Sequence, residues 1–201
     1  MLRALVLGLG LVVSVNAWAQ EPDSFDEERR GRTAKNVIYA EGLGAGLFYS
    51  VNYERNVLDF LSVRAGIGYF PLSVSAGTSS ASSHYVTIPL MVNYLGLGSL
   101  RHMLELGAGG TLLFVAASAT GQSGGGLVTV TGSGLTGFFN FQVGYRFQPA
   151  HGGFHFRIGL MALVGPGLPL GGGSTTDPNT GAPVVLWGAL PWPYMSFGGV
   201  F

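Results

Sequence analysis

Apolar and polar residues alternate with a period of two through much of the chain after residue 36. In Leu47–Glu54, Leu47, Tyr49, Val51 and Tyr53 share one face, with Ser50, Asn52 and Glu54 on the other. Leu61–Tyr69 sets Leu61, Val63, Ala65, Ile67 and Tyr69 against Ser62, Arg64, Gly66 and Gly68. Val86–Tyr94 sets Val86, Ile88, Leu90, Val92 and Tyr94 against Thr87, Pro89, Met91 and Asn93. Phe139–Phe147 opposes Phe139, Phe141, Val143, Tyr145 and Phe147 to Asn140, Gln142, Gly144 and Arg146. Phe154–Leu160 opposes Phe154, Phe156, Ile158 and Leu160 to His155, Arg157 and Gly159. Successive side chains of a strand point to opposite faces, so each stretch predicts a strand with one apolar face. A tilted strand crosses a bilayer in about 9–11 residues, close to these lengths.

The second face decides between a water-soluble sandwich and a membrane barrel. A sandwich would present Lys and Glu to water there. This chain instead carries Gly, Ser and Asn with a few charges, which suits the confined interior of a narrow barrel. The apolar face is therefore read as lipid-facing. Short connections are expected at Arg55–Asp59, Gly96–Arg101 and Gln148–Gly152, and long Gly/Ser/Thr-rich loops at Pro71–Ser83, Thr120–Ser133 and Gly165–Val185. They alternate as periplasmic turns and extracellular loops do. Counting back from Phe201 in the periplasm, Leu47–Glu54 runs downward. Asn36–Gly42 can supply the upward strand before it, with Leu43–Gly46 as a tight turn. The expected fold is an all-β, antiparallel, up-and-down transmembrane β-barrel of about eight strands over residues 36–201. The alternative is one long strand from Val37 to Glu54, which leaves an odd number. Pro89 cannot donate to a ladder, so a bulge is expected there, with the imide facing the lumen.

Composition sharpens this picture. Lys+Arg number 10 and Asp+Glu 10, together 10% of residues, where soluble domains carry about 25%. Nine of these charges fall between Glu21 and Lys35, leaving the rest of the chain poor in them. A soluble fold so sparsely charged would aggregate, whereas one solvated by lipid would not. The balance of signs leaves no electrostatic footprint for nucleic acid. The 34 glycines argue against helices. The stretch nearest to a helical span, Ile158–Leu170, is broken by Gly159, Gly165, Pro166, Gly167 and Pro169. With no cysteine, thiol catalysis, CxxC redox chemistry and Cys-based zinc sites are excluded.

The N-terminus reads MLRALVLGLGLVVSVNAWAQ. Arg3 followed by the apolar run Ala4–Val15 and the small-x-small triplet Ala17-Trp18-Ala19 predicts a signal peptide over 1–19, cleaved after Ala19. Residues 20–35 are then expected as a mobile polar tail in the periplasm.

The candidate lumen network is Glu54, Arg64, Asn93, Glu105, Asn140, Gln142, Arg146, His155 and Arg157. Two acids and three arginines facing inward are expected to pair as a plug, because unpaired buried charge is too costly. The alternative is a polar conduit. For enzymatic chemistry, His84 beside Ser82 and Ser83 is the candidate at the outer rim, but no acid lies near it. His102 and His151 fall in periplasmic turns, and His155 faces inward next to Arg157. No catalytic residue, cofactor or metal site is expected. Gly42-x-Gly44-x-Gly46 and Gly124–Gly126 lack the helix that a phosphate-binding loop needs, and are read as turn and clearance glycines. Aromatic belts are expected from Tyr53, Phe60, Tyr94, Tyr145, Phe147, Phe154 and Phe201 near the periplasmic ends. Tyr69, Phe70, Tyr85, Trp187 and Trp192 are expected near the outer ends.

The C-terminal stretch LPWPYMSFGGVF resembles the recognition signal of outer-membrane barrels, with Phe201 terminal and Phe197 and Met195 on the same face; Gly199 departs from the usual large residue. That resemblance implies the barrel-assembly machinery as a partner during insertion. Four internal stretches, AGLFYSVNYERNV, LSVRAGIGYFPL, TIPLMVNYLG with HMLELGAGG, and GYRFQPAHGGFHFRIGL, resemble a family of uncharacterised bacterial outer-membrane β-barrel domains. The resemblance implies the barrel and its location in the outer membrane, and no activity. Outer-membrane lipid, including lipopolysaccharide, is the expected surrounding. The expected function is a non-enzymatic, structural or surface-interaction role through extracellular loops, toward a partner the sequence does not name. The alternatives are a narrow passage for small or hydrophobic solutes and a lipid-modifying enzyme.

Overall fold

The computed structural model describes residues 31–123, 126–166, 168–170, 173–177 and 180–201. The expected export signal and most of the expected tail lie outside the described residues. The strands are β1 (Asn36–Leu43), β2 (Tyr49–Leu58), β3 (Leu61–Ala76), β4 (Ser79–Gly98), β5 (His102–Ser123), β6 (Gly126–Phe147), β7 (Gly153–Pro166), β8 (Gly173–Thr176) and β9 (Pro183–Val200). All pairings are antiparallel between chain neighbours, except that β7 pairs with β9, and β9 also pairs with β1. The ring therefore closes on eight strands, with β8 attached only to the far half of β9. At the seam Ala40 lies opposite Phe197, and Asn36 exchanges both backbone hydrogen bonds with Phe201, at 2.8 and 2.9 Å. The single long strand from Val37 to Glu54 is ruled out by the break between β1 and β2.

Alternation sets the two faces as the pattern demands. Along β2, Tyr49, Val51 and Tyr53 are exposed on the outside of the ring while Ser50, Asn52 and Glu54 are buried inside. Closure satisfies the backbone groups of both edge strands, so no sheet edge is left open around the ring. One end of the barrel holds both chain termini of the sheet; we call it the terminal end, and the opposite end the hairpin end.

Two of the three expected long loops are largely strand, and the third is so in part. β3 continues to Ala76 and β4 resumes at Ser79, so only two residues separate them. β5 and β6 pair out to Ser123↔Gly126, the two residues between lying outside the described ones. Within Gly165–Val185, β7, β8 and β9 account for much of the described chain. Gly, Ser and Thr alone suit loops, but with Val, Leu and Ala beside them they pair as hairpins once a neighbouring strand sets the register. β3 beyond Ile67 has no partner on β2, and β6 before Phe139 has none on β7. The hairpin ends of β3–β6 thus project as a four-stranded sheet. For β3 this is Gly68–Ala76, nine residues, or about 30 Å along the strand.

Pro89 faces inward, as its position in the alternation requires, but no bulge accompanies it. Ala65↔Leu90 and Gly68↔Thr87 keep one register across it. The ladder simply skips the pairs between, because the missing N–H costs a hydrogen bond and not a residue. Register shifts fall instead near the terminal end, between Asn56 and Leu58 and between Tyr94 and Leu97. Leu47 does not begin β2. With φ at 71° it belongs to the turn after β1, in which Gly44–Gly46 make one 3-10 turn folded into the barrel.

Candidate functional site

Inside the ring lies a layered plug. At its centre are three glutamates and three arginines, all with side chains fully removed from solvent. Arg64 binds Glu41 at 2.5 Å. Arg146 reaches Glu54 at 2.6 Å and Glu105 at 3.0 Å through the same nitrogen. Arg157 binds Glu105 at 2.5 Å and approaches Glu54 at 3.7 Å and Glu41 at 4.0 Å, so it links all three acids. The charges sum to zero. In a low-dielectric interior that balance is what makes burial of six ions tolerable, since each alone carries a desolvation cost of several kcal/mol.

Neutral side chains complete the network. Tyr39 donates to Glu54 at 3.1 Å and accepts from Arg157 at 2.5 Å. The Arg157 guanidinium lies 5.1 Å from the Tyr39 ring centre and 5.2 Å from that of Tyr194, held between two aromatic faces. Ser62 and Asn93 donate to Glu54, and Gln142 donates to Glu105 and Asn93. Asn52 accepts from Arg64 at 3.0 Å and Gln148 from Arg146 at 2.7 Å. Asn140 donates to Thr111 at 2.8 Å. His155 is buried with its ring 5.2 Å from that of Tyr39. Gly144 and Gly159 face each other across β6 and β7 beneath the Tyr194 hydroxyl. A Cβ on Gly159 would meet that oxygen at 2.8 Å and the Gly144 backbone closer still.

Above the charges the 3-10 turn forms the second layer. Ala45 is fully buried; its N–H donates to Glu41 at 3.2 Å and its carbonyl accepts from Thr111 at 2.9 Å. Thr87 donates to the Gly46 carbonyl at 3.2 Å. Met91, Met161, Leu163 and Tyr194 pack around Ala45, with Leu47 and Trp192 against them. Gly44 has φ at 72°, and a side chain there would strike Glu41, so the turn depends on glycine at this point. At the terminal end Arg32 closes the third layer, donating to the carbonyls of Leu100 at 2.6 Å and Gln148 at 3.4 Å. The Thr33 and Ala34 N–H groups both donate to the Ala150 carbonyl. Residues 31–35 therefore dock across the mouth, where a mobile tail was expected, because the Arg32 side chain and the Thr33 and Ala34 N–H groups find carbonyls left over by the short turns.

All nine residues of the candidate lumen set lie inside. The set leaves out Tyr39, Glu41, Asn52, Ser62, Thr111, Gln148 and Tyr194, which the network also uses. The alternation of Val37, Tyr39 and Glu41 in β1 carried the signal, since a charge marks the inward face; without Glu41 the count came to two acids against three arginines. Three assigned aromatics also change sides. Phe70 and Trp192 share the inward parity of their strands, and Tyr85 stacks on Phe70 at 4.7 Å on that same face. Tyr69 and Trp187 remain outward and exposed. Met195, Phe197 and Phe201 lie exposed on the outer surface beside β1.

The histidines considered for catalysis are dispersed. His84 bonds the Tyr69 hydroxyl at 2.8 Å on the outward face, whereas Ser82 bonds Ser118 at 2.8 Å. His102 pairs with Tyr145 at 2.6 Å and His151 with Thr33 at 2.8 Å. Among the described residues, no group of three His, Asp or Glu side chains is placed to hold a metal ion.

Ring and plug together define a small up-and-down β-barrel with an ion-paired, side-chain-filled lumen. The chain matches no protein-family model and none of the curated proteins. Among solved structures it is similar to the N-terminal β-barrel domain of Pseudomonas aeruginosa OprF, at 13% identity and a TM-score of 0.46, covering 85% of this chain and 98% of that one. It is also similar to Ail, the attachment invasion locus protein of Yersinia pestis, solved with the heparin analogue sucrose octasulfate. There the identity is 11%, the TM-score 0.39 and the coverage 83% and 96%. Likenesses of this degree do not speak to what this chain does.

Proposed function

We propose that this protein is a non-enzymatic outer-membrane barrel whose interior is a structural plug and whose hairpin end meets partners outside the cell. The observation that carries this reading is the pairing of a lipid-like exterior with an interior closed in three layers. Val51, Ile67 and Leu160 are each close to 60% exposed on the outer surface, a display that would drive aggregation in water but is at home among acyl chains. The terminal end then faces the periplasm, with Phe201 and its neighbours available to the assembly machinery and the export signal removed after Ala19. Lipid of the outer membrane, including lipopolysaccharide, surrounds the ring.

The plug favours this reading over a passage. A conduit through the lumen would need Ala45, Arg157 and Arg32 to leave their partners together, and each is held by several contacts. The direct test is conductance of the purified barrel in planar bilayers, beside a heat-modifiability gel of the outer-membrane fraction. The expected result is a folded, heat-shifted band without channel events. Discrete conductance steps from the folded band would overturn the sealed-lumen reading. A heat-insensitive band in the soluble periplasm would overturn the membrane placement.

A further inference from the structure

β7 ends before its neighbours do. Its last pairing with β6 is Val164↔Phe139 and its last with β9 is Pro166↔Trp187, yet β6 extends to Gly126 and β9 to Pro183. In the same register Pro166 comes opposite Gly137, where it has no N–H to give, and the ladder stops. The chain then turns into the barrel, where Leu168 packs against the cluster around Ala45. Leu170 exchanges both backbone hydrogen bonds with Ala189, at 3.0 and 2.7 Å, as Asn36 does with Phe201. Ala189 and Phe201 are an even number of residues apart, so both direct these groups to the β1 side of β9. β8 continues the register of Leu170 and lies on that side too. The β7 side of β9 beyond Trp187 is thus left without a strand among the described residues.

β6 forms the opposite wall of this gap. Gln148 donates to Arg101 at 2.9 Å in the register of the β5–β6 ladder, so even-numbered residues of β6 direct N–H and C=O to β5. The odd-numbered ones, Leu127, Thr129, Thr131, Ser133 and Leu135, turn theirs into the space that β7 leaves, over about 30 Å. Below, Phe139 and Trp187 stack at 5.9 Å across the end of β7 on the outer face, tying β6 to β9. The gap there is two interstrand spacings wide, about 9.6 Å, which is room for one strand. A free edge is ordinarily blunted by proline or charge. β3, the other free edge of the projection, carries Pro71, whereas Leu127–Leu135 has neither proline nor charge. Gly132 and Gly134, on the inner face, have open space where a side chain would stand, and glycine inside a strand marks a place where another backbone can approach closely.

We propose that the vacant strand position beyond Pro166, between β6 and β9, takes one extended, uncharged polypeptide segment of a partner outside the cell. Main-chain pairing holds it, to β6 on one side and to Val184 and Leu186 on the other. A gap one strand wide admits only a segment free on both edges, a chain end or an unfolded loop, and not the edge of a folded sheet. That excludes the β6 of a second copy, which is bonded to its own β5. The N-terminal segment of this chain is held at the opposite mouth, where Arg32 docks. Charge follows from the walls, since β9 and Gly126–Tyr145 contain no Asp, Glu, Lys or Arg. Small or hydroxyl side chains suit the outer face beside Thr131 and Ser133, and larger apolar ones the inner face over Gly132 and Gly134. The proposal rests on the reading that the hairpin end faces the exterior.

The probe is a fluorescent, acetylated peptide of roughly eight alternating Thr and Val residues, long enough to pair along the open part of β6. Its binding is read by anisotropy on the purified full-length barrel in detergent micelles, and by retention on intact cells that carry the protein. Thr131→Pro removes an N–H that faces the gap and none that bonds β5, whereas Thr131→Val keeps the N–H and removes only the hydroxyl. Each variant is first checked for the heat-shifted band. Binding is expected to weaken about tenfold in Thr131→Pro, through one lost bond and a peptide carbonyl left bare. In Thr131→Val it should stay within about twofold of the parent. The same peptide N-methylated on its threonines, added to the unaltered protein, should also bind at least about tenfold more weakly, whether or not Thr131→Pro folds. No binding to the purified barrel, or undiminished binding in folded Thr131→Pro or of the N-methylated peptide, overturns the site and leaves the orientation untouched. Binding to the purified barrel that is absent from intact cells overturns the orientation, and the outside partner with it.

Discussion

Replacing Glu54 by Gln isolates the charge balance of the plug. Gln keeps the volume of the side chain and can still accept from Ser62 and Asn93, so the change is mainly one of charge. Glu54 meets Arg146 at 2.6 Å and Arg157 at 3.7 Å, and every partner is buried. Its neutralisation leaves three arginines against two carboxylates in a closed interior. Breaking a buried pair by removing one partner costs about 3–5 kcal/mol, most of it the penalty for the charge left behind. Arg146→Gln creates the opposite imbalance at a similar cost, because Glu105 retains Arg157 but Glu54 loses its closest cation. The double variant returns the lumen to two acids and two arginines. It should therefore be more stable than the sum of the single losses by at least about 2 kcal/mol, the coupling expected of residues in one network. The measurement is a urea titration of the barrel in lipid vesicles, read by the heat-shifted band and by tryptophan fluorescence, with reversibility checked from both directions. Single-variant losses that add to within about 0.5 kcal/mol would refute the claim that charge neutrality organises the plug.

Three further outcomes use the same titration or a fractionation. Gly159→Val should destabilise by about 1–3 kcal/mol through overpacking against Tyr194 and Gly144. Gly132→Ala, with open space around it, should stay within about 0.5 kcal/mol of the parent; equal effects would show that the lumen is not closely filled there. Ile67→Arg should cost about 2–4 kcal/mol on a lipid face, whereas Thr131→Arg on the hydroxyl-lined projection should be close to neutral, and a reversed order would misplace the membrane boundary. Phe201→Ala should lower the folded fraction recovered in outer membranes relative to Ser196→Ala, measured by the proportion of heat-shifted band; unchanged recovery would remove the terminal aromatic from the assembly signal.

Period-two alternation determined on its own that the chain forms strands and which side chains share each face. That is why Glu54, Arg64, Arg146 and Arg157 fall on one face of the pattern and share the lumen. A strand's two faces are a local property, written in every second residue. Glu41 obeys the same rule, but Asn36–Gly42 enters the sequence reading only as the strand that completes the count, without its faces being assigned. What alternation could not decide was where each strand stops, because a Ser/Thr/Gly stretch is a loop alone and a hairpin beside a partner. Register between β3, β4, β5 and β6 settled that, and with it the place of Phe70 and its partner Tyr85 on the inner face. The inward fold of Gly44–Gly46 was equally beyond local reading, since its carbonyls and N–H are satisfied by Glu41, Thr87 and Thr111 from three separate strands. Closure of the ring brings those strands around one axis, and only there does a short glycine-rich turn become the stopper of the lumen.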